Sequence, residues 1–526
     1  MPTPGQNHDK VGEPRIRSLS SIVEESGCQP PACVTGWVGG KGVPESANTE
    51  RLPVLYPATA EQVTQVQEDA EEQVAAAIQA ARTAFDSGPW PRFPVAKRQS
   101  ILRSAAQTIG QHMEELAVLE TLCAGLPLSH LTGRQIPRAA ENFSFFADFI
   151  GTQAGETFEQ ESAYLTLVTR EPAGVAALVA PWNAPLALAS MQIASCIAFG
   201  NTCVIKPSEY TPLAVRRMVQ LLELAGVPPG IVNLVNGRGS VTGHSLVSHP
   251  GVDRIAFTGG TATARSIMAD AAQNLTPVHM ELGGKSANIV FADADLERAV
   301  DGSLVNIFSN NGQMCIAGSR ILVQRGIAEE FIDRFIARTR EVKVGDPMMA
   351  STEIGPLAFE EHMNKVLGYV DLARKEGAEI LAGGERIDRL APGYFVEPTA
   401  ALVTDNRWRI CQEEVFGPLA TIQEFDEPEE AIALANDSPY GLVGYAWTEN
   451  LGLALKLQQA IRAGTIWINT PLLRDLRAPF GGFKNSGIGR DGPRQCAEFY
   501  TEEKATIVPR ELRPIKKLGI NDDTSR

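Results

Sequence analysis

From residue 174 onward the chain alternates between short apolar runs and amphipathic stretches, and no other feature limits its fold so strongly. GVAALVAPWN reads as a buried strand ending in a turn. PLALASMQIASCIAF reads as a helix opened by Pro185 at a first-turn position, where the missing N–H costs nothing. NTCVIKPSE is a second strand, and Thr211-Pro212 then caps and starts the helix AVRRMVQLLELAG. GIVNLVNG and DRIAFTGG add two more β-rich runs, each followed by a helical segment. Strands and helices at this spacing imply an α/β fold, a parallel sheet covered on both faces. Ligands of such sheets bind beyond the carboxyl ends of the strands. Asn183, Lys206, Glu209, Gly259 and Gly260 all fall there. A second alternation, from HMELGGKSANIVFADADLERAV through RILVQ and GTIWIN, reads as another α/β domain. Upstream, residues 69–85 and 95–123 read as helices. YLTLVTREP (164–172) and EEKATIVP (502–509) stand outside both alternations, free to pair with each other or with another subunit.

Bulk properties exclude several partners. With 526 residues and a formal charge of −15, neither nucleic acid nor an anionic membrane is an expected partner, because both reward clustered Lys and Arg. No apolar stretch approaches the roughly 18 residues of a membrane span. Residues 1–34 lack an apolar signal core and carry Glu13, Glu24 and Glu25, so they read as a polar, Pro-rich extension. The eight cysteines are too sparse for a disulfide framework and form no C-x-x-C pair. Reduced thiols in a cytoplasmic protein without a metal site are the expectation.

One of those thiols stands out. FSNNGQMCIAGSR (308–320) places Cys315 behind the turn-prone Asn310-Asn311-Gly312. A cysteine attacks as its thiolate, so a reactive one needs donors or positive potential, which a helix N-terminus behind such a turn would supply. A buried structural thiol fits the same residues. APWNAPL (180–186), VIKPSE (204–209), FTGG (257–260), ELGGKSANIVFADAD (281–295), CQEEVFGPL (411–419) and PFGGFKNSGIGR (479–490) accompany it in fixed order. Together these motifs resemble the aldehyde dehydrogenase superfamily, from about residue 35 to 510.

The resemblance implies a Rossmann-type NAD-binding domain (35–152 and 173–282), a second α/β catalytic domain (283–487) and a small β oligomerisation element (153–172 and 488–512). It implies a homodimer or homotetramer. It also assigns roles: Cys315 as nucleophile, the Asn183 amide and the Cys315 N–H as oxyanion donors, and Glu281 as general base for thioester hydrolysis. Taken alone, Asn183 is equally a turn residue, Glu281 an end-of-strand carboxylate and Lys206–Glu209 a surface pair. For the cofactor, Glu209 suits the ribose hydroxyls and would repel a 2′-phosphate, which favours NAD over NADP. Trp182, Lys206, Gly259, Gly260, Leu282, Glu414 and Phe416 complete the expected cofactor set. Gly239 belongs to it too, although NGRGSVTG (236–243) does not fit G-x-G-x-x-G. Three positions depart from the family's habit: Gln192 stands where a Lys is common, Asp491 where a Glu is usual, and FTGG replaces FTGS. The first two leave the removal of protons from Glu281 open.

QIPRAAENFSFFADF (135–149), FTGGTATAR (257–265), NTPLLRDLRAPFGG (469–482) and LRPIKKLG (512–519) resemble the branch acting on 5-carboxymethyl-2-hydroxymuconate and 2-hydroxymuconate (or 2-aminomuconate) semialdehydes. In that branch Arg138 and Arg474 would line the substrate tunnel, and guanidinium groups bind carboxylates well. Both arginines suit interface salt bridges equally. Arg477 is a further candidate, with Asp475 beside it. The alternatives are a general aromatic or aliphatic aldehyde dehydrogenase and, in another class, a cysteine-dependent ester or thioester hydrolase. The latter needs a histidine base, and none of the seven histidines lies in a recognisable hydrolase signature.

Overall fold

The computed structural model describes residues 16–160 and 163–519. Two sheets dominate them. In the first, eight strands run in the order Gly487–Ile488, Val278–Glu281, Arg254–Thr258, Val175–Val179, Thr202–Lys206, Val232–Leu234, Trp37–Val38 and Lys41–Gly42. The strands from Val278–Glu281 to Val232–Leu234 are parallel, with antiparallel neighbours at both margins. Thr202–Lys206 is buried at every residue, which is why it reads as a continuous apolar run rather than an alternation. The helix Pro185–Ala198 is apolar around nearly its whole circumference, and it is correspondingly buried, against Ile136–Ile150.

Strand order turns around Val175–Val179. The next two strands in sequence lie on one side of it, and Arg254–Thr258 and Val278–Glu281 on the other. The loops leaving this reversal point diverge and open a crevice at the carboxyl ends of the strands. In the second sheet Thr399–Leu402, Leu419–Phe425, Arg320–Gln324, Ala287–Val290, Val443–Trp447 and Thr465–Ile468 are parallel, with Glu379–Ala382 antiparallel at one edge. His279 to Glu281 close the first sheet and Ala287 opens the second, so the two are joined through Leu282-Gly283-Gly284-Lys285-Ser286. The two unassigned β-rich pieces pair with each other: Thr501–Pro509 lies antiparallel to Tyr164–Pro172, which also pairs with Glu156–Gln160.

Three expectations need revision. Residues 16–34 are not a detached extension. Leu19–Ser26 is a helix capped by the Ser18 hydroxyl, and its Ile22 is fully buried among Tyr56, Val118, Leu122, Leu390 and Phe395. Cys33–Val34 adds a strand beside Gln62–Gln67, while residues 1–15 of that stretch lie outside the described residues. The helix expected over 95–123 breaks at His112 into Val95–Gln111 and Met113–Ala124, because Leu116 to Ala124 turn inward and are all buried. Finally, residues 488–500 sit with the first sheet and not with the small one, since Pro493–Tyr500 packs Cys496, Ala497 and Tyr500 into its core.

If the first helix is part of the core, Ile22→Ala should cost about 2–4 kcal/mol in denaturant unfolding. It should also raise amide exchange across Leu19–Ser26; unchanged stability would make that helix a solvated appendage.

Candidate functional site

At the crevice the two sheets face each other across a cleft of about 410 Å³. Its first wall comes from the carboxyl ends of the first sheet: Trp182 and Asn183, Gly259 and Gly260, Glu281 and Leu282. Its second comes from the elements around the other sheet: Cys315 in the loop before Arg320–Gln324, Phe359, His362 and Lys365 at and along the helix Glu360–Glu376, and Glu414 and Phe416 in the loop before Leu419–Phe425. Two glycines make the join possible. A Cβ on Gly283 would overlap the Glu414 carboxylate, and one on Gly284 would overlap the Cys315 carbonyl. The Gly284 N–H donates to Glu414 Oε1 at 2.9 Å.

Cys315 is half-buried and follows a tight turn in which Asn310 and Asn311 both have φ near +57° (56° and 58°). Asn tolerates that conformation better than most residues, and here both side chains are tied down by bonds to distant parts of the chain. Asn310 Nδ2 donates to the Asn183 carbonyl at 2.8 Å, and Asn311 Nδ2 to the carbonyls of Gly125 and Pro356. No helix begins behind the turn; the chain runs on to the strand Arg320–Gln324. The expected helix dipole is therefore absent. Burial, with Glu414 and Glu281 in coulombic range, pushes the thiol up to about 12. The backbone N–H groups of Cys315 and Ile316 oppose this. Cys315 thus rests as a neutral thiol with two amides aimed at its sulfur. The Asn183 amide is buried and gives one N–H to the Gln313 carbonyl at 2.8 Å, which fixes its plane beside the cysteine loop.

Glu281 is 7% exposed, and neither of its oxygens has a hydrogen-bond partner among the described residues. Burial pushes its carboxyl up to about 7, against the lowering influence of His279 and Arg474. Glu414 is likewise raised by burial to about 7. Trp182 packs edge-on against Phe359, His362 and Phe416 at 4.9–5.3 Å between ring centres. His362 Nε2 donates to the Phe416 carbonyl at 2.7 Å, and burial lowers this imidazole to about 4, so it is neutral. Phe359, His362 and Lys365 went unnoticed in the sequence because LAFEEHMNK carries no pattern.

The remaining expected residues lie outside this cleft. Lys206 is buried, its ammonium donating to the carbonyls of Gly237 (2.6 Å) and Pro207 (2.8 Å), with Glu209 at 3.6 Å. It ties two loops together and leaves Glu209 half-exposed at the end of its strand. Gly239 is exposed and opens the short turn Gly239–Gly243. Arg138 and Arg474 lie within coulombic range of each other and of Asp491, and Arg474 also of Glu281 and Cys315. Neither forms a salt bridge among the described residues. Arg138 Nε and Arg474 Nε and Nη2 are shielded from solvent without a hydrogen-bond partner. Arg474 stacks 4.1 Å above the Phe480 ring. Arg477 is not part of this group: it is exposed and paired with Asp475 at 2.7 Å.

The aldehyde dehydrogenase family model matches residues 44–506. The chain is 41% identical over 464 residues to 5-carboxymethyl-2-hydroxymuconate semialdehyde dehydrogenase of Escherichia coli, covering 87% of this chain and 97% of that protein. It is 41% identical over 471 residues to 2-hydroxymuconic semialdehyde dehydrogenase of Pseudomonas sp. (strain CF600), covering 88% and 97%. A crystal structure of indole-3-acetaldehyde dehydrogenase with NAD+ superposes with a TM-score of 0.90 at 39% identity, covering 93% of this chain and 99% of that one. The chain therefore belongs to the aldehyde dehydrogenase family.

A raised thiol has a direct consequence. Iodoacetamide should alkylate Cys315 of the free protein slowly at pH 7, with a rate climbing about tenfold per pH unit up to pH 10. Glu414→Gln should speed the reaction at fixed pH by removing a negative neighbour. A rate already at its plateau by pH 8 would contradict the raised thiol.

Proposed function

We propose that this chain oxidises an aldehyde bearing a carboxylate to the corresponding acid, with Cys315 as nucleophile, Asn183 and the Cys315 N–H as oxyanion donors and Glu281 as the base for water. Its family makes it an enzyme, an NAD-dependent aldehyde dehydrogenase. The site suits that cofactor. Gly260 has nothing within 4 Å of where a Cβ would stand, and it precedes the helix Thr261–Asn274, whose first N–H groups have no side-chain cap. Such a terminus accepts a diphosphate. Glu209 would take the ribose hydroxyls, Lys206 would hold that carboxylate in place, and Gly239 would edge the same end of the sheet. Trp182, Leu282, Glu414 and Phe416 would bound the nicotinamide half. When bound, NAD supplies the hydride acceptor.

The protein's own steps follow from the geometry. Cys315 Sγ bonds to the carbonyl carbon as its S–H proton passes to water, and the thiolate that deacylation returns takes a proton back from water before the next cycle. The new oxyanion is held by the Cys315 N–H and the second N–H of the Asn183 amide, each worth about 3 kcal/mol in such a role. Collapse of the oxyanion releases hydride and leaves a thioester on Cys315. Water then bonds to the acyl carbon, its proton passes to Glu281, and the C–S bond breaks to return the thiolate. With Glu281 raised to about 7, its basic form grows as pH rises through 7, and this step accelerates over the same window.

One observation carries the substrate class: the unpartnered guanidinium nitrogens of Arg138 and Arg474, which lie within range of each other, Arg474 also being in range of Glu281 and Cys315. Buried donors without partners are costly, and a carboxylate can satisfy both at once. The semialdehyde dehydrogenases among the relatives support 5-carboxymethyl-2-hydroxymuconate or 2-hydroxymuconate semialdehyde, in aromatic catabolism. The indole-3-acetaldehyde enzyme favours the alternative of an uncharged aromatic aldehyde. Arg474→Ala or Arg138→Ala should lower kcat/KM for 2-hydroxymuconate semialdehyde about 10²-fold, and for benzaldehyde less than about threefold. An unchanged preference would overturn the substrate class. Loss of aldehyde-dependent NADH formation in Cys315→Ala, with no NAD-free turnover in the wild type, would exclude a hydrolase.

The reading extends to assembly and location. Residues 35–152 and 173–282 form the cofactor-binding unit and 283–487 the catalytic unit, in a reduced cytoplasm that keeps all eight cysteines free. The three-stranded sheet joins copies into a homodimer or homotetramer, because Phe158, Ile507 and Val508 are exposed on it and Thr501–Pro509 is an open edge. Light scattering should give a multiple of the chain mass, reduced by Ile507→Glu; a monomeric wild type would refute the arrangement.

A further inference from the structure

A buried base that takes a proton from water in every cycle must also lose it. Gln192, behind the strand end on the buried helix Pro185–Ala198, donates its amide to the Val179 carbonyl (3.3 Å) and the Thr258 hydroxyl (3.2 Å) and carries no exchangeable charge. Two residues before Glu281 on the same strand stands His279, and the two-residue period puts both side chains on one face. His279 Nε2 lies 3.5 Å from Glu281 Oε1, and neither atom has a hydrogen-bond partner among the described residues. His279 Nδ1 lies 3.8 Å from Asp491 Oδ1. Both gaps are within about 1 Å of a hydrogen bond.

The surroundings hold the ring in that line. Gly489, with φ +85°, lays its backbone on the imidazole where a Cβ would overlap Cδ2. The Phe499 ring lies 5.6 Å away from the other packed element, the helix Pro493–Tyr500. The charged groups facing His279 are Glu281 on its own strand and Asp491 and Arg490 on the turn before that helix, with Arg474 beyond Glu281 and Asp491. Burial favours the neutral ring, the two carboxylates favour the charged one, and the carboxylates prevail. Exposure grows outward along the line, from 8% of the Glu281 side chain to 10% of His279 and 19% of Asp491.

We propose that His279 is the positioning and relay residue that clears the hydrolytic proton from Glu281 to Asp491 and so to solvent. This rests on Glu281 being the base. The relay runs through the neutral form of the ring, which the imidazolium reaches by giving its Nε2 proton to solvent, leaving the Nδ1 proton toward Asp491. Protonated Glu281 gives its proton to Nε2 while Nδ1 releases one to the Asp491 carboxylate, which returns it to water. The ring ends neutral and Glu281 ionised; after the ring resets its tautomer the cycle is complete, and no electron changes hands.

The acylation half of the reaction does not use this line, and the test depends on that separation. With benzaldehyde and NAD in rapid mixing, His279→Leu should form one NADH per Cys315 at the wild-type rate and then turn over about 10²-fold more slowly. Intact-mass measurement should find the acyl group on the enzyme. Asp491→Asn should show a weaker form of the same pattern. His279→Gly should regain turnover with added imidazoles, in proportion to their basicity, which a cavity-filling effect would not reproduce. Turnover within threefold of wild type in His279→Leu, a burst that falls together with turnover, or no imidazole rescue would each overturn the relay. Glu281→Gln separates the two claims. If it accumulates acyl-enzyme and His279→Leu does not, the relay alone fails; if it does not accumulate acyl-enzyme, the base assignment fails and the relay with it.

Discussion

A carboxylate with both oxygens buried and neither hydrogen-bonded is expensive, and Glu281 is held in that state between two sheets. Its rise from 4.5 to about 7 corresponds to roughly 3 kcal/mol of destabilisation of the ionised form. The folded state binds this proton more tightly than the unfolded chain does. Stability therefore falls as pH climbs from about 4.5 to 7, and the full cost persists above that. The surrounding structure is arranged to bear this cost. Gly481, whose Cβ would stand 2.6 Å from Glu281 Oε1, lets the backbone close over the carboxylate. His279 and Arg474 supply opposing charge.

The same closure fixes Cys315. The first sheet ends at Glu281 and the second begins at Ala287, so five residues carry the chain from that carboxylate to the sheet that follows the cysteine. Gly284 lies against the Cys315 carbonyl, and Gly312, at φ +72°, lies where a side chain would strike Gly417 and Pro418. Thiol, base and aromatic wall are thus positioned by backbone contact rather than by flexible side chains. The thiol is kept neutral first by burial and then by the neighbouring Glu414 and Glu281. A resting thiol is less open to oxidation than a thiolate would be.

The alternation of strands and helices was legible because buried parallel strands such as Thr202–Lys206 need no polar face and stand out as apolar runs. The placement of Trp182, Asn183, Gly259, Gly260, Glu281, Leu282, Cys315, Glu414 and Phe416 in one cleft was legible only through the order of their motifs, since no single motif is specific. Other features depended on tertiary context. Phe359 and His362 reach the cleft from a stretch with no local signature, and their role in packing Trp182 exists only once the second sheet is formed. Ile22 looked like one apolar residue in a polar tail, and its burial depends on Val118 and Phe395, far away in sequence. The helix expected behind Cys315 failed because the Asn310–Gly312 turn is stabilised by long-range bonds to Gly125 and Pro356 rather than by a following helix. His279 gave no signal, because a histidine between apolar residues on a strand reads as core.

The charge layout connects the base to the substrate. Glu414 and Glu281 make the surroundings of Cys315 negative, and each opposes formation of the thiolate. A substrate carrying its own carboxylate would worsen this if it met only solvent-screened charges. Arg138 and Arg474 change the balance, because their shielded nitrogens have no partner before the substrate arrives. A carboxylate docking there satisfies donors already desolvated, so the arriving charge is neutralised at the far end of the substrate. Arg474 also faces Glu281, Asp491 and Cys315. Filling it with a substrate carboxylate withdraws part of the stabilisation it gives the ionised Glu281, making that group a stronger base while substrate is bound. On the proposed function, substrate recognition and deacylation would thereby be coupled through one guanidinium.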